Sequence, residues 1–157
     1  MELQNKGIHF IYTDTKRVNV FNAIKKLLKN GYIISYDTSN ISEIQLINRM
    51  LCYDCGIDFN RIKQGNISED ELNLISNAAQ RIAGYDFWLN ERNLTDDIDS
   101  FIFDYINESK VSYDDAPDKW ICFLDCNLNP KSVIDSYNNF CDIKTPIVVV
   151  HDLSINN

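Results

Sequence analysis

Two aspartates and a histidine hold much of the chemistry this chain could do. Asp125 ends the apolar run Trp120-Ile121-Cys122-Phe123-Leu124-Asp125, and His151-Asp152 follow the run Ile147-Val148-Val149-Val150. If both runs are neighbouring strands, Asp125, His151 and Asp152 meet at one end of a sheet, where an acid-base or divalent-metal cluster could form. No third liganding pair accompanies them, so no metal is expected. An aspartate at the carboxyl end of a buried parallel strand is also common on structural grounds, because strand ends open to solvent there.

The thiols offer two further constellations. Cys126 and His151 could form a nucleophile and base by proximity alone. Cys52-Tyr53-Asp54-Cys55 has the spacing of a zinc or redox half-site, but no second Cys or His pair stands at zinc-finger spacing. Cys122 and Cys126 fall on one face of a strand end, where buried thiols are the plainer reading. The basic pair Lys16-Arg17 lies in the turn Tyr12-Thr13-Asp14-Thr15-Lys16-Arg17-Val18-Asn19, before a segment of helical period. It could bind phosphate, or be a solvated pair at a helix entrance.

These residues need elements to position them. Apolar, β-branched runs alternate with segments of helical period, the pattern of a βαβ architecture with a mostly parallel sheet. Residues 8–12, 32–36, 87–89, 120–125 and 147–150 read as strands, and 18–29, 43–53, 68–83, 95–107 and 131–142 as helices. Asn30-Gly31 stops the first helix, and Ser42 with Gln45, then Ser68 with Glu71, are capping boxes. Residues 108–119, polar and containing Pro117, read as a surface loop. The expected fold is α/β, doubly wound, with about five mostly parallel strands and helices on both faces.

At 157 residues the chain fits one domain spanning 1–157, and its 45% hydrophobic and 24% charged residues are ordinary for a globular core. Its 23 acidic and 15 basic residues give a net charge of −8, which opposes a phosphate backbone and argues against DNA binding by the isolated chain. Lys25, Lys26 and Lys29 read as a solvated helix face. An odd number of cysteines, five, and the absence of a signal pattern point to a cytoplasmic protein with reduced thiols. No apolar run approaches the roughly 20 residues that span a bilayer.

The stretch Ile41-Ser42-Glu43-Ile44-Gln45-Leu46-Ile47-Asn48-Arg49-Met50-Leu51-Cys52 leads into Gly56-Ile57-Asp58-Phe59-Asn60-Arg61-Ile62-Lys63-Gln64-Gly65 and Ser68-Glu69-Asp70-Glu71. It resembles the RecA-like motor domain of DnaB-type replicative helicases. The resemblance agrees with the α/β reading and implies where an ATPase would keep its residues. A P-loop needs glycines to let backbone N–H groups wrap phosphates, a lysine, and a Ser or Thr for magnesium. The corresponding turn has no glycine, and Arg17, Val18 and Asn19 stand at the Gly-Lys-Thr triplet. Asp14 adds a negative charge where phosphates would lie.

By the same resemblance Asn40 falls at the catalytic glutamate, and an amide cannot take a proton as a carboxylate does. Asp37, three residues earlier, is the substitute if the strand ends differently. Asp125 matches the magnesium-linked aspartate of a Walker B strand, and Asp152 the glutamine that senses the γ-phosphate. The chain ends before the region of the family's DNA-contacting loops and arginine finger. A non-catalytic relative is therefore expected, with no cofactor, acting by contact with a replicative helicase or with itself. The alternatives are an ATPase holding ATP and magnesium through Lys16, Arg17 and Asp125, and a structural subunit unrelated to replication. Tyr12 and Phe10 are the large residues expected to fill a vacant cleft.

Overall fold

The computed structural model describes residues 7–92, 100, 119–139 and 146–155. Five strands, β1 (Ile8–Thr13), β2 (Ile33–Thr38), β3 (Phe87–Glu91), β4 (Trp120–Asp125) and β5 (Ile147–Asp152), form one sheet in the order β1-β5-β4-β2-β3. All four pairings are parallel. The central strands β2 and β4 are buried along their whole length, as the continuous apolar composition of β4 predicts for a strand covered on both faces. Strand β3 stands at one end of the sheet and is half-buried.

Alternation along β4 separates two apolar layers. Ile121 and Phe123 join Ile34, Tyr36, Val148 and Val150 beneath helices α1 (Val18–Lys29) and α2 (Glu43–Cys55). Trp120, Cys122 and Leu124 face the other way, toward Val133 and Tyr137 of α5 (Pro130–Asn139). Helices thus cover both faces of a five-stranded parallel sheet, as the sequence predicts.

Local signals explain the helix ends. Ser42 accepts from Gln45 N, and α2 closes on Gly56 at φ 71°, a left-handed cap that glycine adopts without steric penalty. Helix α4 (Glu69–Ala83) starts with a complete capping box, in which Ser68 accepts from Glu71 N and Glu71 accepts from Ser68 N. Between them lies a short helix, α3 (Phe59–Lys63), capped by Asp58, which the sequence reading did not separate out. Strands β2, β3 and β5 run two residues further than expected, and α2 ends at Cys55 rather than 53. The helix expected over 95–107 and the loop over 108–119 lie almost wholly outside the described residues.

Candidate functional site: a crevice closed by Arg17

The carboxyl ends of β1, β4, β5 and β2 meet where α1 begins. Asp125 pairs in register with Val150, so Asp152 extends two residues beyond it on the neighbouring strand. Arg17, just before α1, enters between the two aspartates. Its Nε donates to Asp125 Oδ2 at 2.6 Å and its Nη2 to Asp125 Oδ1 at 3.1 Å, while Nη2 also stands 2.9 Å from Asp152 Oδ2. The Arg17 side chain is 1% exposed and that of Asp125 0%.

The sequence reading of Arg17 as half of a solvated pair is therefore overturned. A guanidinium can enter this interior because two carboxylates supply the countercharge and a forked, planar donor suits them. Lys16, its neighbour, is exposed. Burial opposes the Arg17 charge, but the hydrogen bond and charge of Asp125 outweigh it and hold Arg17 more firmly protonated than an ordinary arginine.

Two polar side chains complete the coordination of Asp125. Tyr36 Oη donates to Oδ2 at 2.5 Å and Asn40 Nδ2 to Oδ1 at 3.0 Å. Burial, reinforced by the Asp125 charge, pushes the Tyr36 phenol well above its ordinary value, so it stays a neutral donor. Asn40 Nδ2 also reaches Asn127 Oδ1 at 3.1 Å, and Asn127 bridges onward, accepting from Asp152 N and donating to Asp152 O, each at 3.0 Å. Burial opposes ionisation of Asp152, but its bonds from Ser154 and then the Arg17 charge prevail and hold its carboxyl below the usual range.

The turn before α1 is satisfied from within. Asp14 Oδ1 accepts from Lys16 N at 2.9 Å and Arg17 N at 3.3 Å. Those backbone donors are of the kind a phosphate-binding loop offers to its ligand. Arg17 itself sits at φ 55°, in the left-handed region, and is the only described non-glycine residue with positive φ. This is the position that the family resemblance matches to a glycine, the residue that enters that region without penalty. Arg49 of α2 donates to the carbonyl of Thr15, closing the turn from outside.

The remaining sequence candidates fall elsewhere or do other work. Asn40 does reach Asp125, as a donor. Asp37 is buried and ion-paired with Arg92 at 2.7 Å, so the substitution proposed for it has no free carboxylate. Tyr12 is 52% exposed and Phe10 packs toward the opposite layer, so neither fills the crevice; Arg17 does. His151 packs against the Tyr12 ring instead of joining the aspartates. Cys126 lies in the apolar layer that faces α5, where burial pushes its thiol up to about 12, against a role as nucleophile. Among the described residues no group of three or more His, Cys, Asp or Glu could hold a metal ion.

Tyr36, Asn127 and Arg49 went unnoticed in the sequence. A tyrosine within a fully buried strand needs a hydrogen-bond partner for its hydroxyl, and that signal could have found Tyr36.

No protein-family model matches the sequence, and no curated protein matches it significantly. Similarity appears at the level of structure. A DnaB-like replicative helicase, solved to show its interactions with primase, superposes with a TM-score of 0.69 over 94% of this chain at 11% identity. A solved ATPase domain superposes with a TM-score of 0.72 over 96% at 9% identity. The chain spans 39% and 58% of the lengths of those two structures. With five parallel strands between helical layers, the chain has the RecA-like fold of the DnaB-type helicase motor domain.

Proposed function

We propose that this chain is a non-catalytic relative of DnaB-type motor domains that acts by protein contact in DNA replication or its regulation, in the cytoplasm. The observation that carries this reading is the buried Arg17 guanidinium held between Asp125 and Asp152. It supplies positive charge where an ATPase would need room for magnesium and phosphate, and it consumes the carboxylate that would hold the metal. Asn40 in place of a general base and Asp14 on the loop amides favour the same conclusion. A net charge of −8 favours a protein partner over nucleic acid. The partner is a replicative helicase or a second copy of this chain, since RecA-like folds that pack side by side offer surfaces for both.

The test has two parts. A thermal melt with and without magnesium and ATP should show no shift, whereas a ligand at a hundred times its Kd stabilises by about 2.7 kcal/mol. Phosphate release should stay at background. A clear rise in Tm that Lys16→Ala abolishes would replace this reading with a nucleotide-binding one. Sedimentation of the chain alone and mixed with the replicative helicase of its source should then show a complex. Its absence in both would favour a structural subunit unrelated to replication.

A further inference from the structure

Along α1 from Phe21 to Lys29, beginning about one helical turn beyond Arg17, a cavity of about 210 Å³ lined by other residues than those of the crevice opens between α1, α2 and α4. Its floor is apolar, formed by Phe21, Ile24 and Leu28 of α1, Met50 of α2 and Ile82 of α4. Its rim is cationic. Lys25 and Arg81 each lie 2.5 Å from a carboxylate oxygen of Asp54, so that this one anion clasps α1 to α4 across the mouth. Burial opposes the Asp54 charge, but the hydrogen bonds of Lys25 and Arg81 outweigh it and hold the carboxyl below its ordinary range. Lys29, exposed on the same rim, has no ion-pair partner among the described residues.

Three cations around one carboxylate leave a positive excess, in a chain whose acids outnumber its bases 23 to 15. Elsewhere in proteins, a dry cavity of roughly 150 Å³ with such walls accepts benzene. This one is somewhat larger and open on its charged side. Small-ligand sites share this plan, with apolar walls giving affinity and a few polar groups fixing orientation.

We propose that this cavity is a binding site for a small apolar carboxylic acid, of about one ring or a short aliphatic chain. Its body lies on Met50 and Ile82, and its carboxylate takes Lys29 and the outer donors of Lys25 and Arg81. Such a ligand would bridge α1 and α4 in the same way as Asp54 and draw the two helices together. The site is independent of the Arg17 crevice and of whether nucleotide binds there.

The chain contains two methionines, Met1 and Met50, so labelling with methyl-¹³C methionine gives two signals, of which that of Met50 reports on the cavity. Phenylacetate, 2-phenylethanol and phenethylammonium present the same ring with a negative, neutral and positive head. Phenylacetate should move the Met50 signal saturably, with the alcohol about tenfold weaker and the ammonium weaker still. Lys29→Gln, at an exposed position, should weaken phenylacetate severalfold and leave the alcohol unchanged. An unmoved Met50 signal at tens of millimolar phenylacetate would overturn the proposal. So would equal responses to the three heads, or unchanged phenylacetate affinity in Lys29→Gln.

Discussion

Arg17 and Asp125, 108 residues apart in sequence, meet at 2.6 Å with almost no exposure of either side chain. The pair ties the start of the first helix to the end of the central strand. The desolvation cost of such a pair can match its attraction, so its presence alone is weak proof of stability. Breaking it from one side is another matter.

Arg17→Met should destabilise the chain by about 3–5 kcal/mol, because Asp125 and Asp152 would remain buried without their counterion. Urea titration at neutral pH reads this directly. Asp125→Asn together with Arg17→Met should recover part of the loss, since the pair is then replaced by neutral groups. A double mutant no better than the single would show that shape, not charge, dominates at this position.

Acid should unfold the chain through the carboxylates held below their ordinary range, Asp152 and Asp54. For a depressed carboxylate, the stabilisation is complete above the unfolded value of about 4 and is lost as pH falls through the folded value. Stability should therefore be flat just above this window and decline across it. In Arg17→Met the contribution of Asp152 shrinks, and the acid decline becomes shallower than in the parent chain. Denaturant midpoints measured between neutral pH and the acid limit test both slopes.

Helix α4 buries only Ala78 completely and carries exposed Leu72 and Leu74, so its start depends strongly on local capping. Ser68→Ala should cost about 1 kcal/mol. Amide hydrogen exchange should accelerate first at the amino end of α4, with little change in β4. Uniform acceleration through the sheet would mean that α4 and the sheet open as one unit.

Thiol reactivity should follow burial. Cys122 and Cys126 are fully enclosed, and the raised value of Cys126 leaves almost no thiolate near neutrality. Iodoacetamide on the folded chain should spare both and label the half-buried Cys52 and Cys55 sooner, as mapped by peptide mass spectrometry. Rapid labelling of Cys126 would contradict its packing beside Trp120 and Leu124.

The fold was legible because its signals are local. Apolar runs mark β4 and β5, Ser68 with Glu71 marks α4, and Gly56 closes α2. The short helix α3 escaped because five residues carry too little periodicity to stand out. Asp125 and Asp152 were legible as strand ends, and Asn40 as the residue before a cap. The role of Arg17 was not, because a basic residue in a turn looks solvated until its partners are known, and these arrive from strands more than a hundred positions away. Tyr36 and Asn127 were hidden for the same reason, their contacts being set by the register of β2, β4 and β5.

A guanidinium built into the chain is a ligand that cannot be diluted. In the reading proposed above, the crevice has no dissociation rate and no concentration at which it empties. A motor domain changes shape as its nucleotide comes and goes, because ligand free energy is added and withdrawn in each cycle. Here that free energy is fixed at folding, and the left-handed backbone at Arg17 is where the cost falls. On that reading the crevice is uncoupled from the cellular supply of nucleotide.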